Sequence, residues 1–327
     1  MMELLEAEIQ VLVWTAAQVM LIPGGEHDAR LRDRSLVMND DIGRSFDSFR
    51  HNLLENLRLG ALPHDLVQAS ELELLFQRKN AAAQIRTLKG HLLGEVPSPE
   101  QKTAAYDLAK QQVKDIVSSP NIFEGEAGEF RRSYISKLAG IGNDIRFKPS
   151  LGALGRACMV NAWNALEVFT KDLMVDIFNK RPILYERIEK SQEATKRFEA
   201  RKFSLAELSK FGYDVSRSLG DLIFSDKDFS DIATIRCAVF AVFPDNAKLR
   251  SAVASSELYH ICKKRHLIVH RRGVIDAAYE KAVGDEGTLG KEISFSSSDI
   301  VSATNVVFET GLLLLFAARL ALSEDDS

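Results

Sequence analysis

An all-α protein is predicted from three observations. Alternating runs of β-branched residues are scarce, apolar residues recur at steps of three and four through long stretches, and several helix starts are marked by capping residues. With 327 residues, 46% of them hydrophobic, the chain has material for about two compact domains.

The clearest helix start is Ser98-Pro99-Glu100-Gln101: a capping serine, a proline at the first helical position and a glutamine three residues after the cap, with the helix reaching about Val117. Ser204 with Glu207, and Ser296 with Asp299, repeat the pattern less fully. Two breaks interrupt the helical signal, one at 94–99 and a longer irregular zone from Ser118 to Pro149-Ser150-Leu151-Gly152. They divide the chain near residue 150 into a mostly helical N-terminal domain, 1–150, and a second helical domain, 151–327. The second opens on a long helix, 153–179, whose residues Leu154, Cys158, Ala162, Leu166, Phe169, Leu173 and Ile177 form one core-facing stripe. The charged stretch 186–202 reads as a solvated helix face.

Composition narrows the function classes. The net charge of −4 provides no global attraction for nucleic acid, so any such contact must come from a local basic patch, and one exists at 263–272. The cysteines, Cys158, Cys237 and Cys262, are odd in number and lie in apolar helical sequence, which suits buried thiols in a reducing compartment. Glu3, Glu6 and Glu8 stand where a signal peptide carries positive charge. The apolar run 311–322 is interrupted by Arg319 and is shorter than the roughly 20 residues of a membrane span. A cytoplasmic protein with no membrane association is expected.

Chemistry concentrates in 256–272, SELYHICKKRHLIVHRR, closed by Gly273. Leu258, Ile261, Arg265 and Ile268 share one row, so a permanently charged guanidinium interrupts an apolar face and requires a partner or an anionic ligand. His270 stands one turn beyond His266, which puts both imidazoles on one side of the helix. Lys263, Lys264, Arg271 and Arg272 flank them with charge suited to a phosphate backbone. A plain alternative is that cations in the last turn of a helix interact favourably with its dipole. Spacing alone does not discriminate, since Arg86 with His91 and Arg58 with His64 are similarly spaced; Gly90 weakens the helix before His91, and Gly60 with Pro63 is expected to break one between Arg58 and His64. His27, His51, His64, His91 and His260 lack converging partners, and Trp14 and Trp163 read as core residues.

The run Arg265-His266-Leu267-Ile268-Val269-His270, continued by Arg271-Arg272-Gly273-Val274-Ile275-Asp276, resembles the HEPN superfamily, whose signature is Arg, a polar residue, three mostly apolar residues and His. The resemblance covers about 151–322, with a first long helix carrying Glu167, a middle helical pair, the motif helix and a last apolar helix around 306–320. It implies a bundle of four or five helices, a homodimer that brings two motifs together, and metal-independent cleavage of RNA with no cofactor, in antiviral defence or as a regulated toxin with an antitoxin or sensor partner. The catalytic residues would be Arg265, His270, His266 and Glu167. HEPN toxins silenced by nucleotidyltransferases often carry tyrosine two residues after the motif histidine; Arg272 stands there, so control by modification of such a tyrosine is excluded.

Glu167 shares a row with Val160, Trp163 and Met174, where a carboxylate is costly unless paired. Two partners are open to it: Lys171 one turn on, or Arg265 or a motif histidine across the bundle. No acidic or histidine cluster with the spacing of a metal site stands out.

Overall fold

The computed structural model describes residues 30–31, 40–87, 97–119, 124–198, 204–284 and 288–323. Among them, helix is the regular element throughout, apart from one isolated antiparallel bridge between Val274 and Glu292. The fold is all-α, as the periodicity and caps predict. In chain order the α-helices are α1 (Asp41–Thr87), α2 (Pro99–Val117), α3 (Gly125–Asn143), α4 (Lys148–Lys180), α5 (Tyr185–Glu189), α6 (Gln192–Phe198), α7 (Leu205–Ser209), α8 (Leu219–Phe224), α9 (Ile232–Val242), α10 (Ala247–Ala254), α11 (Ser256–Arg271), α12 (Ala277–Val283) and α13 (Ser297–Ser323).

The chain forms two compact units, one including Ala61–Leu151 and the other made of Leu21–Gly60 and Gly152–Ser327. One limit between the units falls between Leu151 and Gly152. The segment Leu21–Gly60 groups with Gly152–Ser327.

In the first unit α2 starts as its sequence dictates. The Ser98 hydroxyl accepts from the Gln101 N–H at 3.2 Å, and the Gln101 side chain accepts from the Ser98 N–H at 2.8 Å. The helix ends at Val117. Helix α3 lies inside the zone that the sequence marks as irregular: Gly125, Gly128, Gly140 and Gly142 lower its propensity, while buried Ala127 and Tyr134 anchor one face. Buried Glu71 of α1 accepts from the Ser133 hydroxyl at 2.6 Å and pairs with Lys137, two α3 groups whose hydrogen bonds outweigh the burial and hold its carboxyl below the usual range.

Helix α1 runs through Gly60 and Pro63, where the sequence predicts a break. A mid-helix proline costs about 3 kcal/mol. The row Leu53, Leu57, Ala61, His64 and Val67 is buried without interruption, and that packing outweighs the penalty.

The second unit has the larger core. Phe46 and Phe49 of α1 pack on Phe169 of α4, with Phe49 stacked on Phe169 at 4.7 Å, and Phe46 also approaches Phe308 of α13. A second ring cluster joins Phe178, Phe198, Phe224 and Phe229. The stripe of α4 is buried from Cys158 to Ile177. In 186–198 the charged residues Glu186, Glu189, Lys190, Glu193, Lys196 and Arg197 are at least partly exposed while Ile188, Ala194 and Phe198 are buried; 199–202 lies outside the described residues. Helix α13 begins with a reciprocal cap, Ser296 N–H to the Asp299 carboxylate at 2.8 Å and Asp299 N–H to the Ser296 hydroxyl at 3.2 Å. It is longer than the run 311–322. By length and composition, with mean hydropathy 1.8, it is apolar enough to cross a membrane, and half of that stretch is buried in the unit.

Candidate functional site

Helix α11 starts with the Ser255 hydroxyl accepting from the Leu258 N–H at 3.2 Å, and Leu258, Ile261, Cys262 and Leu267 seat it in the core. Its beginning is tied to α4 through a shared acceptor: the Ser230 carbonyl receives the Trp163 indole N–H at 2.9 Å and the Cys262 thiol at 3.9 Å. Buried Trp163 thus helps position the motif helix.

Arg265 reaches Glu167 of α4, Nη2 to Oε2 at 3.6 Å, with 17% and 24% of the two side chains exposed. The alternative partner, Lys171, instead donates to the Ser225 carbonyl at 2.8 Å and acts on Glu167 only through space. The Glu167–Arg265 pair is not closed by hydrogen bonds: Glu167 Oε2 and Arg265 Nε are both buried without a hydrogen-bond partner. Burial raises the Glu167 pKa above the usual carboxylate range; Arg265 and Lys171 oppose the rise, and Asp228 adds to it.

The two motif histidines are exposed at the other end of α11, with ring centroids 4.3 Å apart and planes tilted by 44°. The pKa of His266 is lowered, first by partial burial, then by His270, Lys263 and Arg265, against an upward pull from Asp231. Arg265 turns inward to α4, while His266 and His270 face solvent.

The four flanking cations divide by environment. Lys263 lies over the Tyr259 ring at 5.2 Å and Lys264 over Phe295 at 5.8 Å. Arg271 pairs with Asp276 at 3.5 Å. Arg272 is exposed and adopts the left-handed conformation, φ 56°, followed by Gly273 at φ 81°. Both of their N–H groups turn back to the Leu267 carbonyl. A Cβ at Gly273 would stand 2.9 Å from Cδ of Arg156, which itself pairs with Glu292 at 3.2 Å. The chain leaving α11 is then clamped, Ile293 N–H to the Gly273 carbonyl at 2.8 Å and Ile275 N–H to the Lys291 carbonyl at 2.9 Å, over a small core of Leu267, Ile275, Tyr279 and Ile293.

Two acidic neighbours of the motif are not evident from the sequence. Asp228, held below the usual carboxylate range first by the Ser230 N–H at 2.8 Å, also feels Arg265, and Asp231 acts on both His266 and Cys262. Both precede or open α9, far from α11 in sequence, in the polar run Ser225-Asp226-Lys227-Asp228-Phe229-Ser230-Asp231. Only that run's density of carboxylates could draw attention to them.

The other Arg–His pairs differ from the motif in their surroundings. Arg58 pairs with Glu55 at 2.5 Å on the surface, and His64 is buried edge-on to Tyr134 at 5.3 Å. Contrary to expectation, a continuous helix runs through that pair, and the burial of His64, not a helix break, sets it apart from the motif. His91 lies outside the described residues. Among the described residues no group of three or more His, Cys, Asp or Glu is placed to hold a metal ion, and the cysteines are buried, with Cys158 pushed up by burial to about 11. No protein-family model, no curated protein and no solved structure matches the chain.

Proposed function

We propose that the protein is a HEPN-type, metal-independent endoribonuclease whose active centre is the C-terminal half of α11. The observation that carries this reading is the division of labour on one helix. Arg265 is presented from the interior beside Glu167 without a closed hydrogen-bonded bridge, and two solvent-facing imidazoles stand 4.3 Å apart beside it, among four further cations.

In this mechanism His270 takes the proton from a ribose 2′-hydroxyl as it attacks the adjacent phosphate, and Arg265 stabilises the charge that builds on the phosphorus centre. The proton for the departing 5′-oxygen comes from His270 of a second copy, in a working homodimer, or from His266 on the same helix. Glu167 positions Arg265. Lys263, Lys264, Arg271 and Arg272 hold the RNA backbone. Products carry 2′,3′-cyclic phosphate and 5′-hydroxyl ends. The C-terminal unit is a HEPN-like bundle in this reading, acting in defence or a stress response.

The test is cleavage of transfer and messenger RNA in excess chelator by wild type, Arg265→Ala and His270→Ala, with folding checked by circular dichroism. Wild type is expected to cleave, and each folded variant to lose about 100-fold or more. Equal inactivity of all three would overturn the reading.

A second reading takes its support from the interhelical Glu167–Arg265 pair itself: the motif is structural, and the chain is a helical interaction protein in which Arg265 bridges to Glu167 inside the bundle. In that case Arg265→Ala unfolds the unit rather than leaving a stable, inactive protein. RNA binding without cleavage, unaffected by His270→Ala, would instead favour a non-catalytic HEPN module that binds a nucleotide or RNA.

A further inference from the structure

The imidazole pair at the end of α11 has a second chemical capacity. His266 and His270 stand four residues apart on an unbroken helix, both exposed, with ring centroids 4.3 Å apart. Side chains at this spacing stand one above the other. Two metal–nitrogen bonds of about 2.0–2.1 Å at a tetrahedral angle put two imidazole centres about 5 Å apart. Small rotations of two solvent-facing side chains therefore aim one nitrogen of each ring at a common point.

We propose that His266 and His270 together chelate one divalent transition-metal ion of the zinc and copper class, water completing its coordination, and that occupation of this site switches off the chemistry assigned to the same histidines. The binding half stands on geometry alone; the inhibitory half rests on the ribonuclease reading.

Imidazole nitrogen is a preferred ligand for these ions. The surroundings limit how tightly one is held. Among the described residues no third ligand completes the set. Lys263 and Arg265 place positive charge near His266, and Asp231 is the acidic group acting on it. Such a site binds reversibly. A bound ion occupies the nitrogen lone pairs that would otherwise accept the 2′-hydroxyl proton, so metal and substrate chemistry are mutually exclusive.

The experiment is calorimetric titration of the full chain with Zn²⁺ in chelator-free buffer, together with RNA cleavage across the same concentrations. One ion per chain is expected, with a Kd on the order of micromolar. His266→Ala and His270→Ala should each weaken binding about tenfold or more. His260→Ala, on the same helix but outside the pair, should leave it unchanged. Cu²⁺ should bind more tightly than Zn²⁺. No binding at about 1 mM Zn²⁺, or binding that survives His266→Ala, overturns the site. Cleavage that runs at the same rate in chelator and in chelator-free buffer with Zn²⁺ bound overturns the inhibition and leaves the nuclease standing. Zinc binding lost in both variants, with no cleavage under any condition, retains the metal site and overturns the ribonuclease reading instead.

Discussion

His266 and Glu167 have opposite displacements, and each yields a test. The His266 pKa is lowered, so its imidazole stays neutral to a pH below its usual value of about 6.5. An NMR titration should find its midpoint below that of a free histidine, and His270→Ala, which removes one of the neighbours that lower it, should move the midpoint up. Glu167 is raised by burial, so folding favours its protonated form. Its sign is that of any group raised on folding: its contribution is fully present below the unfolded pKa and is lost as pH rises through the folded value. Urea denaturation at a series of pH values should therefore show wild type losing stability, relative to Glu167→Gln, as pH rises above about 4.5. A constant difference across that window would show that Glu167 is not displaced. Arg265 explains why Glu167 needed the fold: both Lys171 and Arg265 satisfy the sequence pattern, and only the crossing of α4 and α11 selects Arg265 at 3.6 Å.

Among the elements, α11 carries the motif, and the turn that ends it tolerates little change. Gly273 combines φ 81° with a Cβ position 2.9 Å from Arg156 Cδ. Any side chain there must adopt a left-handed backbone, at about 1–2 kcal/mol, and displace Arg156. Gly273→Ala is expected to lower unfolding free energy by at least that much in urea denaturation. Elements with strong local chemistry were legible in the sequence: the capping box of Ser98 and Gln101, the Ser296–Asp299 cap, and the α4 stripe from Cys158 to Ile177. Helix α3 and the passage of α1 through Pro63 were not, because there local propensity opposes helix and burial of Tyr134, Ala61 and His64 decides otherwise.

At the scale of the whole molecule, the C-terminal unit is not a continuous stretch of chain. Phe46, Phe49, Leu53 and Leu57 belong to its core, with Phe49 stacked on Phe169 and set against Gly311 of α13, where a Cβ would lie 2.3 Å from the ring. A fragment of 152–327 lacks these side chains. Burial of each is worth about 1.5–3 kcal/mol, comparable in sum with the net stability of a typical domain. The fragment is expected to bind hydrophobic dyes and lack a cooperative thermal transition, and joining 21–60 to it through a flexible linker should restore one. Cooperative unfolding of 152–327 alone would contradict this account of the core. The sequence by itself determined the all-α class, the caps, the core face of α4 and the juxtaposition of His266 with His270, because each depends on residues within a few turns of one another. The tertiary structure alone decided that Glu167 meets Arg265, that Asp228 and Asp231 border the motif, and that Ile42, Phe46, Phe49, Leu53 and Leu57 of α1 complete the second core. Those pairings join residues far apart in the chain, and long-range contacts are chosen by the packing of whole helix faces, which no local pattern encodes.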